Sequence, residues 1–281
     1  MSERSGFALP GLPAYDRTVV IGVLNVTPDS FSDGGNWLAA ADAIKHGAEM
    51  AADGADLVDV GGESTRPGAG RIDADEERRR TIPVVQALAA EGIRVSIDTT
   101  RAVVARAAVD AGAVLVNDVS GGRGDAAMAA LIASSGVAYV VMHSRGTSAD
   151  MQEHTQYDDV VRDVRRELKE QLHAVSAAGV QREQLVVDPG IGFAKDADGN
   201  LRLLAALPQL GELGLPVLVG ASRKSFLGTL LDGRAVDERD DATQAITAVA
   251  AWEGVWGVRV HAVRAAADAV RVVAAIRNAR R

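Results

Sequence analysis

The residues able to do chemistry in this sequence stand at the ends of apolar runs. Asn25 closes VVIGVLN, Asp59 and Glu63 fall in and after DLVDVG, and Asp98 ends VSID. Asn117 and Asp118 end VLVND, His143 ends AYVVMH and Asp188 ends LVVD. Ser222 to Ser225 follow PVLVGA, and Arg259 and His261 lie on GVRVH. Carboxylates and amides together suit the N–H and C=O edge of a heterocyclic base. Arg259 and His261 sit two apart and so point the same way from a strand. Burying two such groups is costly unless something anionic meets them. Lys224 and its neighbours, at a strand-to-helix junction, suit the same oxygens through the helix N-terminus. Together these residues fit a group transfer with a diphosphate leaving group.

Each residue also has a plainer reading. Asp98 could cap the next helix, although Thr99 or Thr100 could do so equally well. Asp188-Pro189-Gly190 could be only a turn, Asn117 and Asp118 only loop hydrogen-bonders, and His261 a satisfied core histidine. His46, His154 and His173 fall on helical segments and read as surface residues. There is no HExxH for zinc, no Ser-His-Asp order for hydrolysis, and GASRKSFLG lacks the spacing of an ATP phosphate loop. GGESTRPGAGR, with Thr65 and Arg66, lacks the strand–GxGxxG–helix context of a dinucleotide site.

The elements that must position these residues alternate. Eight apolar, β-branched runs are separated by segments rich in Ala, Leu, Glu and Arg: 40–53, 73–90, 101–111, 125–135, 157–178, 201–210, 241–253 and 264–281. Gly54, Gly92, Gly112, Gly136, Gly179 and Gly214 follow six of them, where a glycine ends a helix. Strand–helix alternation predicts parallel pairing through right-handed crossovers, and eight units predict an α/β fold, a (β/α)8 TIM barrel in one domain. A doubly wound open sheet is the alternative. In a barrel all the strand ends face one rim, so the scattered polar residues converge on one cavity. Two glycine-rich connections, 25–38 and 61–72, are long enough to be lids or binding loops.

The 281 residues carry 30 Lys+Arg against 38 Asp+Glu, a net charge of −8, and no cysteine. That excludes a thiol nucleophile and Cys-based metal sites, and argues against nucleic-acid binding. No run is long enough to span a membrane and nothing at the start reads as a signal peptide, so a cytoplasmic protein is expected. Residues 1–16 read as an N-terminal extension and 17–281 as the barrel domain.

VIGVLNVTPDSFSDGG (20–35), VDVGGESTRPGA (58–69), VSIDT (95–99), VNDVSGG (116–122), DPGIGF-K (188–195), GASRKSFLG (220–228) and RVH (259–261) occur in this order. In these motifs, which span nearly the whole chain, the sequence resembles dihydropteroate synthase of the bacterial folate pathway. The resemblance implies a TIM-barrel transferase, a homodimer and sulfonamide target, that joins 6-hydroxymethyl-7,8-dihydropterin diphosphate to 4-aminobenzoate with Mg²⁺. It implies that Asp98, Asn117, Asp188 and Lys224 hold the pterin, with Met142 packed beside it. Asn25, Arg259 and His261 would bind the diphosphate, Asn25 also the Mg²⁺. Phe31 and Asp33, with Thr65, Arg66 and Pro67, would close over the reacting groups: Asp33 with the catalytic Asp98, Asp188 and Lys224, Thr65 and Arg66 towards the diphosphate, Phe31 and Pro67 towards the aminobenzoate. Phe193, Lys224 and Ser225 would shape the aminobenzoate side. The family often continues RVH with Asp, where this chain has Ala262. Apolar faces on 245–256 and 265–276 are candidates for the dimer surface. The rivals are a corrinoid-dependent pterin methyltransferase barrel, which would not need DSFSDGG or SRKSF, and a catalytically silent pterin-binding scaffold.

Overall fold

A computed structural model describes residues 7–27, 35–64, 70–147 and 150–280, with only the backbone of 35–39. Eight strands alternate with helices. They are β1 (Val19–Asn25), β2 (Leu57–Gly61), β3 (Val95–Asp98), β4 (Leu115–Asp118), β5 (Ala138–Met142), β6 (Leu185–Asp188), β7 (Leu218–Val219) and β8 (Gly257–Val260). All pair in parallel in the order β6-β5-β4-β3-β2-β1-β8-β7. Between β6 and β7 the ring is closed by the single bridge Val187–Val217, with the Val187 N–H donating to the Pro216 carbonyl at 2.9 Å. The fold is the expected (β/α)8 barrel.

Strand periodicity sorts the side chains. Ile21, Leu57, Leu115, Val140, Val186 and Leu218 form one apolar cluster, joined by Leu9 and Leu12 from the segment ahead of β1. Val58, Val95, Ile97, Val116, Val141, Val187 and Val258 belong to the other, larger cluster, packed against the helices. Successive residues on a strand face opposite ways, so the first set fills the interior and the second the sheet–helix layer. The interior set lies low in the barrel. Two residues further along the same strands, the inward positions turn polar: Asp59 after Leu57, Asn117 after Leu115, Asp188 after Val186. Register sets Asn25 opposite Gly61, Gly61 opposite Asp98 and Asp98 opposite Asn117.

The helices are α1 (Gly35–Ala52), α2 (Ala74–Ala90), α3 (Ala102–Asp110), α4 (Met128–Ser135), α5 (Val160–Ala177), α6 (Ala197–Ala205), α7 (Leu207–Gly211), α8 (Ser225–Leu230), α9 (Asp240–Glu253) and α10 (Val263–Asn278). All six glycines expected to end helices adopt positive φ, between 68° and 111°. Three details differ from the sequence reading. α1 begins at Gly35, before residue 40, so the connection after β1 is shorter than 25–38. The helix expected over 201–210 is two helices, broken at Ala206 because Pro208 at the start of α7 cannot continue the α6 hydrogen bonds. α8, the helix implied by the strand-to-helix junction at Lys224, is only six residues long and was absent from the helical segments read along the chain. No described helix is long and apolar enough to cross a membrane.

Candidate active site

The rim formed by the strand C-termini opens into a cavity of about 810 Å³. Ten of the expected site residues line it: Asn25, Asp98, Asn117, Met142, Asp188, Phe193, Lys224, Ser225, Arg259 and His261. Phe31, Asp33, Thr65, Arg66 and Pro67 lie outside the described residues.

Arg259 is the centre of the floor. Its Nε donates to Asp59 Oδ2 at 2.5 Å and its Nη2 to Asp98 Oδ2 at 2.7 Å. Asn117 Nδ2 donates to the same Asp59 oxygen at 3.0 Å, and the Ser96 hydroxyl donates to the other. Asp59, which sequence reasoning did not carry into the site, therefore orients both Arg259 and Asn117. The available signal was its place between Val58 and Val60, a carboxylate facing inward from the middle of a strand. Asp98 is not the cap of α3: the Ala102 N–H donates to Asp125 instead, at 2.8 Å. Burial pushes the Asp98 carboxyl up to about 7, against the pull of Arg259 and with the help of Asp59 and Glu77. Asp118, one residue on from Asn117, faces outward. It accepts from Ser120, Gly122 and the Tyr139 hydroxyl, so for it the loop-ordering reading holds.

Asp188 does two jobs. Its Oδ1 accepts the Gly190 N–H at 2.7 Å, forming the turn, while Oδ2 faces the cavity near Gly220. Burial raises its pKa to about 6, opposed by the Gly190 N–H and by Lys224, Lys195 and Arg259. An unfolded aspartate gives up its proton near 4. Between about pH 4 and 6 the folded protein therefore binds more protons, and its stability falls as the pH rises through that window. Asp188→Asn is expected to flatten that part of the profile, read from urea midpoints at pH 4.5 and 6.5; an unchanged slope would show that Asp188 titrates normally.

Lys224 stands at the start of α8 with Nζ 4.0 Å from the centre of the Phe193 ring, a cation–π contact. Burial lowers its pKa to about 8, with Arg259 adding to the effect and Asp188 and Asp98 opposing it. Gly192, at φ +81°, lies against its stem; a Cβ there would come within 2.9 Å of Lys224 Cδ. Met142 is buried with Met151, Phe193 and Ala194. Arg223, beside Lys224 at the same junction, makes two 2.7 Å bonds to Asp240 and also lines the cavity.

On the adjoining β7–β8 side the Ser222 hydroxyl accepts from the His261 backbone N–H at 3.2 Å and lies 2.9 Å from His261 Nδ1. With Ser222 donating to Nδ1, Nε2 carries the proton. Burial, Arg259 and Arg223 lower the imidazole to about 3, so it offers an anion a neutral donor. His46, read as a surface residue, is exposed on α1 yet lines the rim. His143 is fully buried behind Asp188, between Glu167 and Lys195, and does not line the cavity. Ala262 begins α10 without a side-chain cap.

Mg²⁺ keeps several waters and is usually held by one or two protein oxygens plus substrate phosphates. Among the described residues no group of three or more His, Cys, Asp or Glu forms a metal cage. The Asn25 amide oxygen, on the cavity wall beside Gly61 and Asp98, matches the substrate-supplied kind of site.

The sequence profile of the family described as pterin binding enzyme matches residues 21–261. Dihydropteroate synthase of Mycobacterium leprae is 58% identical over 262 residues, covering 91% of this chain and 92% of that one. This chain belongs to the dihydropteroate synthase family. It is a transferase of folate synthesis. Two solved dihydropteroate synthases share the fold closely. That of Xanthomonas albilineans with 4-aminobenzoic acid has a TM-score of 0.88 at 44% identity, covering 93% of this chain and 94% of the other. That of Yersinia pestis with a sulfonamide drug complex has a TM-score of 0.89 at 39% identity, covering 95% and 98%. The ten expected site residues that are described thus line one cavity rather than separate faces of the barrel.

Proposed function

We propose that the cavity condenses 6-hydroxymethyl-7,8-dihydropterin diphosphate with 4-aminobenzoate, giving 7,8-dihydropteroate and pyrophosphate. The observation that carries this reading is the shared mouth, in which Asp98, Asn117, Asp188 and Lys224 surround one space with Arg259 and His261. A flat ring with N–H and C=O edges fits among the carboxylates, amide and ammonium of the first group. Arg259 spends one N–H on Asp59 and one on Asp98, leaving others for diphosphate oxygens. His261 Nε2–H and Asn25 are further diphosphate partners. Phe193 and Ser225, with Lys224, form the side for 4-aminobenzoate, and sulfonamides resembling it would compete there. Asp33, Thr65, Arg66, Phe31 and Pro67 complete this reading by family motif.

An aromatic amine is neutral at pH 7, so attack needs little help from a base. The amine nitrogen bonds to the pterin methylene as the C–O bond breaks, and that electron pair leaves on the diphosphate; the amine then loses its proton. Arg259 and His261 stabilise the negative charge that builds on the leaving group, and Asp98 and Asp188 the positive charge at the methylene. Mg²⁺ bound at Asn25 and the diphosphate would neutralise further leaving-group charge. A homodimer and a cytoplasmic location belong to the same reading. The exposed Val249 and Trp252 on α9, and Val272 and Ile276 on α10, support the first.

Purified protein should release pyrophosphate from the pterin diphosphate only when 4-aminobenzoate is present, and chelation of Mg²⁺ should suppress that release. Pyrophosphate release indifferent to 4-aminobenzoate would overturn the reading, as would none under any condition.

A further inference from the structure

Behind the cavity wall lies a polar cluster to which the mechanism above gives no role. Lys195 is buried at 3% exposure, and its Nζ meets three acceptors: the Gly190 carbonyl at 3.0 Å, the Phe193 carbonyl at 2.8 Å and His143 Nδ1 at 3.0 Å. The opposite ring nitrogen of His143 faces the Glu167 carboxylate at 2.9 Å. A carboxylate only accepts, so Nε2 carries the proton and Nδ1 is free to accept from lysine. Burial followed by the Lys195 charge lowers His143 to about 4, which keeps it neutral. Burial lowers Lys195 itself to about 7, opposed by Asp188; in its ammonium form its three protons meet three acceptors.

Both carbonyls belong to the turn that follows Asp188. Gly190 stands at φ +69°, and a Cβ there would fall 1.8 Å from the His143 carbonyl oxygen, so the turn is pressed against the end of β5. The neighbouring residues are tied as well: Gly192 N–H to Asn200 Oδ1 at 2.7 Å, and the Ala194 carbonyl to the Tyr157 hydroxyl at 2.9 Å. The Asp188 backbone does not depend on these ties, because β6 pairs with β5 and the His143 N–H donates to the Asp188 carbonyl at 2.9 Å; only its Oδ1 touches the turn, at the Gly190 N–H. Phe193 does. It lies beyond the strand, and its own carbonyl is held by Lys195.

We propose that Lys195 is a positioning residue for the aminobenzoate side of the cavity: its buried Nζ pins the 190–193 turn so that the Phe193 ring stays against Lys224. The inference rests on the assignment of Phe193 and Lys224 to 4-aminobenzoate made above. It separates two consequences that a general loss of structure would not. Removing the peg should disturb the Phe193 side far more than the pterin side, where Asp98, Asn117 and the Asp188 backbone are held by the strand ends.

Lys195→Met leaves the Phe193 carbonyl and an imidazole nitrogen buried without that donor, while the Gly190 carbonyl keeps the Phe193 N–H at 3.0 Å; Lys195→Gln can restore one of the lost bonds. In the folded Met variant the KM for 4-aminobenzoate should rise about tenfold or more, with the pterin diphosphate KM changed less than about threefold. The Gln variant should fall between Met and the parent. Phe193→Ala is the control for the assignment itself. If it leaves the 4-aminobenzoate KM unchanged, the assignment of the pocket fails. If it raises that KM while Lys195→Met does not, Lys195 has no positioning role. Equal rises in both KM values would also overturn the proposal. So would failure of both Lys195 variants to give a folded circular-dichroism spectrum, since Lys195 would then serve the barrel rather than the pocket.

Discussion

Asp98→Asn should slow pyrophosphate release about 100-fold or more while the protein stays folded. Asn has the shape of Asp and can still accept the Arg259 Nη2–H through its amide oxygen. What it cannot do is offset positive charge on the pterin methylene as the C–O bond opens. In the free protein burial holds Asp98 up to about 7, and a cationic centre arriving in the cavity favours its ionised form. The effect should therefore fall on kcat more than on KM, because the interaction strengthens as charge develops. Single-turnover and steady-state rates at saturating substrate, with a urea melt to confirm folding, provide the measurement. Turnover near that of the parent would take Asp98 out of the mechanism.

Arg259→Met should have the largest effect on stability. Removing the guanidinium leaves the Asp59 and Asp98 carboxylates buried together with no cation between them. Breaking a buried pair in this way commonly costs about 3–5 kcal/mol. Arg259 keeps some solvent contact, its side chain being 20% exposed, so the lower end is expected. Activity should fall about 100-fold as well, since the same side chain faces the diphosphate. A second change separates the two roles. Asp59→Asn in the Arg259→Met background should recover part of the stability, by relieving carboxylate repulsion, and none of the activity. Urea midpoints for the two single variants and the double variant form the cycle. Additive losses would mean that Arg259 and Asp59 are not coupled as their 2.5 Å contact implies.

The barrel was legible because its strands are buried on both faces and so stand out as β-branched runs, with glycines ending the helices between them. Asp98, Asn117 and Asp188 were legible for a related reason, as polar residues at the ends of apolar runs. Asp59 stood out as a polar residue inside an apolar run, but its role was hidden, since only its hydrogen bond to Arg259, from a strand 200 residues away, gives it one. Lys195 closes a recognised motif, but its type gives no sign that it points away from the cavity into the turn. Ser225–Leu230 is too short for helical periodicity to emerge, and the Ala206 break needed Pro208 to be weighed above a continuous run of leucines. His46 looks like any exposed helical histidine until α1 is placed over the rim.

The cylinder is joined unequally around its circumference. Seven neighbouring pairs are stitched by ladders, whereas β6 and β7 meet at the lone bridge between Val187 and Val217. Asp188 sits one residue past that seam on one side, and Lys224 follows β7 on the other. A pterin held by both would act as a clasp across the gap. Part of what the enzyme invests in gripping its substrate would then go into shutting its own wall, and the barrel would be most complete when occupied.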